Sequence, residues 1–231
     1  MGVVEIWIGS LLEGAAQARG AVAIIDVFRA FTTAAVVLAN GASRIIMVDT
    51  VEEALKLRAN GTGQICLGEV GAVAPPDFDF GNSPFEVSER DFTGKVIIQR
   101  TSAGTQGIVT ASDAQYLYAA SLVTASATAR ALLTHKEADR ISLVAMGSAG
   151  MVRTDEDELC ALHLRNRLEG RPGSPAAVRE LILAAGEIRR FNDPTRPHLN
   201  AKDVEIALEV DRYDFAIRVT LEGGLLVARR E

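Results

Sequence analysis

One pattern occurs twice in this chain and fixes most of what it can become. AIIDVFRAFTT begins at Ala23 and VIIQRTSAGTQG at Val96; each is an apolar run that gives way to charge, hydroxyls and small residues. A buried strand that ends in polar groups is how α/β proteins present chemistry at the C-terminal edge of a sheet. The residues downstream of each run are also alike. ANGASRIIMVDTVEEALKL and QICLGEVG come after the first; ASDAQYLYAASLVTASATARALL and ISLVAMGSAG come after the second. Two similar successions of this length predict an internal duplication of a strand–helix–strand–helix–strand unit, over 21–71 and 95–150.

Strand-like and helix-like segments alternate along most of the chain. Val3–Ile8 alternates apolar and polar as a half-buried strand does, and Ala21–Ile25 is a continuous apolar run suited to a strand covered on both faces. Arg44–Val48, Gln64–Leu67, Lys95–Gln99, Tyr116–Ala119 and Ile141–Ala145 read as further short strands. Thr32–Ala39 reads as a helix stopped by Asn40-Gly41, and Thr50 caps a second helix, Val51–Arg58, with Glu53 at capping-box spacing. Strands separated by helices require crossover connections. The expected fold is therefore a three-layer α/β/α domain, 1–231, with a largely parallel or mixed sheet. After the turn-rich GRPGSP at Gly170–Pro175 comes a C-terminal extension, 171–231. It holds a helix at Pro175–Gly186, a loop at Asn192–Asn200, and an antiparallel hairpin at Tyr213–Arg229 that turns at Gly223-Gly224.

Composition narrows the partners. A formal net charge of −6 in 231 residues argues against nucleic acid as a main partner. It leaves an anionic small molecule open, because local arginines or a metal reverse the field inside a cleft. No apolar run reaches the roughly 18 residues a bilayer span needs. MGVVEIWIGSLLEG lacks the basic lead of a secretory signal, and Ile6 stands where myristoylation wants Ser or Thr. Two cysteines, Cys66 and Cys160, fit a reducing compartment better than a disulfide framework. A cytoplasmic protein with no membrane partner is expected, and a homodimer suits an α/β enzyme of this size.

Four segments carry candidate chemistry. Asp26, with Arg29 and the hydroxyls of Thr32 and Thr33 beyond it, ends the first strand; an Asp there can serve a site or cap the next helix. Glu69 closes ICLGE, a hard oxygen ligand placed for Mg²⁺ or a solvated loop acid. In the repeat it falls near Gly147–Ser148, and both loops are expected at one sheet edge with Asp26 and Arg100. Arg100–Gly107 offers Arg100, the hydroxyls of Thr101, Ser102 and Thr105, and Gly104 at a strand-to-helix turn, where backbone N–H groups can meet an anion. The loop has no Walker spacing, so a nucleoside triphosphate is not implied. Asp155–Glu158 opens a helix; acids favour that end, and adjacent acids that turn inward favour a cation. Between the second and third segments, PDFDFGNSP brings Asp79, Asn82 and Ser83 into a loop able to line a site. His135, His163 and His198 stand outside these motifs, and Cys160 reads as a small core residue.

DVFRAFTT, GE, FDFGNSP, RTSAGT and EDELCA, in that order and spacing, resemble the 2-phosphosulfolactate phosphatase (ComB-like) family over about Ala21 to Leu162, and more loosely around Asp211–Asp214. The resemblance implies a Mg²⁺-dependent phosphatase that releases phosphate from phosphosulfolactate on the route to coenzyme M. Carried over by position, it marks Asp26, Arg29, Glu69, Asp79, Asn82, Ser83, Arg100, Thr101, Gly104, Thr105, Glu156 and Asp157. The chain departs from the family's pattern at Phe31, at Ser102-Ala103 and at Leu162, changes that bear on the substrate more than on the acids.

Together these readings predict hydrolysis of a small anionic phosphomonoester. Asp26, Glu69, Glu156 and Asp157 would hold Mg²⁺; Asp26, Arg29 and Arg100 would act on the phosphoryl group; Thr32, Asp79, Asn82, Ser83, Thr101, Ser102, Gly104 and Thr105 would bind substrate. The Asp-x-Asp of haloacid-dehalogenase phosphatases is absent, because Phe28 occupies the second position. A metal-dependent lyase acting on a phosphorylated acid could use the same residues. A protein that only binds an anionic metabolite would need the arginines and not the acids.

Overall fold

The structure, a computed structural model, describes residues 4–231. In chain order the first elements are β1 (Glu5–Ser10), α1 (Leu11–Gln17), β2 (Ala21–Ile25), α2 (Ala30–Ala39), β3 (Arg44–Met47), α3 (Val51–Ala59), β4 (Ile65–Gly68) and α4 (Pro84–Val87). Next come β5 (Val96–Arg100), α5 (Gly104–Thr110), β6 (Tyr116–Ala120), α6 (Ala125–Thr134), β7 (Arg140–Ala145) and α7 (Asp155–Leu168). The last are α8 (Pro175–Ala184), α9 (Ala201–Ala207), β8 (Ile217–Glu222) and β9 (Leu225–Arg230). The first strand begins at Glu5, and Val3 lies outside the described residues. The expected capping box forms in part: Thr50 Oγ1 accepts from the Glu53 amide at 3.1 Å, while Glu53 reaches the amide of Asp49 instead of Thr50. Short α1, α4 and α9 have no clear sequence signature.

Among the described residues nine strands make one mixed sheet in the order β1-β7-β2-β6-β8-β9-β3-β5-β4. β1, β7, β2 and β6 run parallel, as do β3, β5 and β4. The hairpin β8-β9 joins the two groups through three antiparallel pairings, β6 with β8, β8 with β9, and β9 with β3. Its turn places Gly223 and Gly224 at φ 57° and 84°, the left-handed pair a two-residue hairpin needs. The expected hairpin is thus the centre of the sheet and no appendage to it.

The two similar units exchange strands. β2, the first strand of one unit, sits between β6 and β7, the second and third of the other; β5 sits likewise between β3 and β4. Read outward from the hairpin, β6-β2-β7 matches β3-β5-β4 strand for strand and in the opposite sense, with β1 added outside β7. One sequence-based expectation is corrected by this. Asp26 and Arg100 do not share a sheet edge; they leave edges of opposite direction that the fold brings face to face.

The core explains how. Alternate residues of β2 face opposite ways. Val22 and Ile24 pack with α2 in a cluster that also takes Ile45 and Met47 of β3, Leu67 of β4 and Ile97 of β5. Every residue from Ala30 to Leu38 is buried, so α2 has no polar face and lies between residues of both halves. Phe31, fully buried there, alone contributes about 2–3 kcal/mol. On the other face, Ala23, Ile25 and Tyr118 pack with Ala129 of α6 and Leu164 of α7. In the second half, Ile46, Cys66 and Ile98 pack with Ala54 of α3. Both cysteines are buried and unpaired. No helix among the described residues is long and apolar enough to cross a membrane.

Candidate active site

Asp26 is the first residue beyond β2, in the turn into α2. Its Oδ1 accepts from the amide of Ala30 at 2.9 Å, so the helix-capping role is real. The second oxygen is turned toward Gly104 at the start of α5: a Cβ built on Gly104 would lie 2.9 Å from Asp26 Oδ2 and 2.7 Å from the Ala30 Cβ. Only glycine allows the two turns to approach this closely. Burial pushes the Asp26 carboxyl up to about 6; the Ala30 amide opposes the rise, the Glu69 carboxylate adds to it, and the Gly104 amide and Arg190 moderate it.

Two carboxylates hold the turns together. Glu69, just after β4, accepts from the Ser102 amide at 2.5 Å, the Ser102 hydroxyl at 3.0 Å and the Ala72 amide at 2.6 Å. Asp157, in the first turn of α7, accepts from the amides of Val27 at 2.7 Å and Gly147 at 2.8 Å. Each carboxylate ties the turn after a central strand to the exit loop of its neighbour. Of the acids at the head of α7, Asp155 is exposed while Glu156 and Asp157 are each 2% exposed. Burial raises the Glu156 carboxyl to about 7. Asp157 is raised by burial and then by the charges of Glu156 and Asp26. Glu156 Oε2 is buried with no hydrogen-bond partner among the described residues.

The turns enclose a cavity of about 440 Å³ lined by Asp26, Phe28, Arg29, Glu69, Asn82, Ser102, Ala103, Gly147–Ala149, Arg190, Phe191, Arg196 and His198, among others. Arg29 is almost wholly buried. Its Nη1 donates to Asp203 at 3.0 Å and to the His198 carbonyl at 2.9 Å, and its Nη2 makes only a 3.4 Å contact with the Ala72 carbonyl. Nη2 is therefore the donor Arg29 can offer to a ligand. Asn82 lines the same wall with Oδ1 buried and unpaired among the described residues.

The other sequence-selected residues lie around this cavity and do not line it. The Arg100 guanidinium donates to the carbonyls of Asp49 and Glu69 and to the Ser102 hydroxyl. Thr101 and Thr105 cap one another, Thr105 N to Thr101 Oγ1 at 3.0 Å and Thr101 N to Thr105 Oγ1 at 2.8 Å. Thr32 donates to the Val27 carbonyl. Asp79 pairs with Arg58 and accepts from the Cys66 amide. Ser83 caps α4 and donates to Asp203 at 2.5 Å. Sequence reasoning passed over Asp203, which accepts from Arg29, Ser83 and the Phe85 amide at full burial. It also passed over Arg190, Phe191, Arg196 and His198. The arginines of RRFNDPTRP were the available signal, inside a stretch whose prolines read only as a loop.

A polar cleft with buried acids and arginines, set where two parallel half-sheets release their strands, places the chain among α/β folds of the kind that carry small-molecule sites at their strand ends. The family model for 2-phosphosulpholactate phosphatase matches residues 9–207, and the chain belongs to that family. A Bacillus subtilis (strain 168) protein named "probable 2-phosphosulfolactate phosphatase" is 29% identical over 209 residues, 90% of each chain. Proteins of the same name from Thermoplasma volcanium and Symbiobacterium thermophilum are 31% and 36% identical. They cover 83% and 78% of this chain and 85% and 76% of their own.

Proposed function

We propose that this protein is a cytoplasmic, Mg²⁺-dependent phosphatase that hydrolyses 2-phosphosulfolactate, or a closely related phosphorylated organic acid, to the hydroxy acid and phosphate. The observation that carries the reading is Asp26: a buried carboxylate with one oxygen fixed by the Ala30 amide and the other at the cavity wall it shares with Arg29. Membership of the family supplies the substrate class.

In this reading Arg29 Nη2 binds a phosphoryl oxygen, and Asn82 and Ser148 orient the rest of the substrate. Asp26 meets the attacking water. With its carboxyl held at about 6, it is mostly ionised at neutral pH yet basic enough to take the water's proton as the water oxygen bonds to phosphorus, and acidic enough to pass that proton to the ester oxygen as its bond to phosphorus breaks. Burial strengthens the Arg29 charge against the charge that develops on the phosphoryl oxygens.

The fit of a divalent cation rests on the acids. Among the described residues no three Asp, Glu, His or Cys side chains form a ready metal cage. Mg²⁺, however, commonly takes one or two carboxylates and completes its shell with water and substrate phosphate. Glu69 and Asp157 have both oxygens on amides. Glu156, whose Oε2 has no hydrogen-bond partner among the described residues, would hold the ion directly, and Asp26 would hold it through water. When bound, it supplies charge neutralisation at the phosphoryl group and a more acidic water.

The test is release of inorganic phosphate from 2-phosphosulfolactate and a panel of other phosphomonoesters, with Mg²⁺ or with EDTA. Turnover that requires Mg²⁺ and is lost in Asp26→Asn supports the proposal. Folded protein that releases no phosphate, or converts the substrate to a product that keeps it, overturns it in favour of a binding protein or a lyase.

A further inference from the structure

Three arginines line the cavity, and their surroundings differ. Arg29 is fixed by Asp203 and the His198 carbonyl. The guanidiniums of Arg190 and Arg196 stand close to acids without the alignment of a hydrogen bond. Glu187 and Glu156 lie 3.3 and 3.8 Å from Arg190, and Asp193 lies 3.6 Å from Arg196. Arg190 Nε is buried with no hydrogen-bond partner among the described residues. Both arginines also line an adjoining cleft of about 300 Å³, which shares Ser148 with the main cavity, so they stand where the two spaces meet.

Phe191 organises this wall. Its ring centroid is 5.2 Å from the Arg190 guanidinium carbon and 6.0 Å from that of Arg29, and Phe28 packs edge-on against it at 5.3 Å. Two cations on one aromatic platform form two neighbouring positive positions. Arg29 offers Nη2 to the phosphoryl group, and Arg190, whose charge also reaches Asp26, stands between that position and the second cleft. The second position, Arg190 with Arg196, has donors in the planar fork that suits a carboxylate or sulfonate.

We propose that Arg190 and Arg196 bind a second acidic group on the substrate and are the residues that select phosphorylated acids over phosphate esters of neutral alcohols. This rests on the phosphatase reading above. An ester whose phosphoryl group lies between Asp26 and Arg29 then has its acid-bearing carbon directed to the junction with the second cleft. Asn82, with its unpaired buried Oδ1, can accept from a hydroxyl or water on the same face.

The experiment compares wild type, Arg190→Gln, Arg196→Gln and Arg196→Lys on 2-phosphosulfolactate and on isopropyl phosphate, with thermal unfolding to verify folding. Loss of a charged hydrogen-bond pair should raise KM for 2-phosphosulfolactate about 10- to 100-fold in either Gln variant. The ratio of kcat/KM between 2-phosphosulfolactate and isopropyl phosphate should fall at least about tenfold, with partial recovery in Arg196→Lys. An equal loss on both esters would mean that these arginines hold the phosphoryl group, and no loss that they touch no ligand; either overturns the proposal. If wild type hydrolyses neither ester, the phosphatase reading fails separately, and calorimetric titration with sulfolactate decides this one. Binding weakened about tenfold or more in the Gln variants upholds a second-acid site; no binding to wild type, or equal binding to all variants, rejects it.

Discussion

Asp26 and Thr101 occupy matching positions in the two halves of the sheet, each the first residue beyond a central strand. Both do the same local work. Asp26 Oδ1 accepts from the amide four residues on, Ala30, at 2.9 Å; Thr101 Oγ1 accepts from the amide four residues on, Thr105, at 3.0 Å. The difference that matters is a second oxygen. Threonine has one oxygen, which the cap occupies, and aspartate has a second, which reaches the cavity. The contrast continues in the arginines: Arg29 lines the cavity, while Arg100 is turned onto the carbonyls of Asp49 and Glu69. In the proposed function one turn carries the reacting groups, and its counterpart serves as the wall they face.

The clamps keep the symmetry that the turns have lost. Asp157 holds the Val27 amide to Gly147, and Glu69 holds the Ser102 amide to Ala72. Equivalent amides are thus gripped by carboxylates from non-equivalent elements, a helix in one half and a loop in the other. A carboxylate in the cleft is not by that fact a reacting group or a metal ligand.

The contrast breaks first at Asp26. Asp26→Asn keeps an oxygen for the Ala30 amide and loses the base, so phosphate release should fall about 10²–10⁴-fold with the melting temperature little changed. A variant with near-normal turnover would remove Asp26 from the chemistry.

The next largest effect is on stability against pH. The carboxyls of Asp26 and Glu156 are raised to about 6 and about 7, and that of Asp157 is raised as well, so the folded state holds these protons more tightly than the unfolded state. Stability is then fully present below the unfolded carboxyl values, about pH 4, and is lost as pH rises through the folded ones. Metal-free protein should melt several degrees lower at about pH 8 than at about pH 5, and Mg²⁺ should restore more of the loss at the higher pH. A metal-free melting temperature that rises across that range would contradict the unneutralised charge assigned to these acids.

Removing a clamp should cost less. Glu69→Ala leaves the Ser102 and Ala72 amides without their acceptor, a destabilisation of about 2–4 kcal/mol by denaturant titration. The smallest effect belongs to the counterpart of Asp26. Thr101→Val removes only a cap, about 1 kcal/mol, and should hold turnover within about threefold. A collapse of activity there would erase the distinction between the two turns.

Much of this was legible in the sequence because burial writes itself plainly. Ala21–Ile25 ends where the apolar run ends, and Gly223-Gly224 can turn only one way in a hairpin. The carboxylates of Asp26, Glu69, Glu156 and Asp157 were legible as acids at strand and helix ends. Their division of labour was not, since it depends on which amides point at them. Asp203 was illegible for a similar reason. Nothing near it signals that Arg29, distant in the chain, donates to it, because α9 is short and its role is set wholly by tertiary contact. The strand exchange was equally hidden: a repeat tells that two units are alike, not that each lends its first strand to the other.

That exchange, with the hairpin at its centre, has a consequence for biogenesis. β8 and β9 are the last of the nine strands to be synthesised and the ones on which both halves close. Until they arrive, β6 and β3 each present a bare inner edge to the solvent, the most aggregation-prone surface a sheet can offer. A chain on which this hairpin has not yet docked therefore holds two half-sheets with bare inner edges, joined only through the packing around α2, and chaperones would meet it at its most vulnerable in that state.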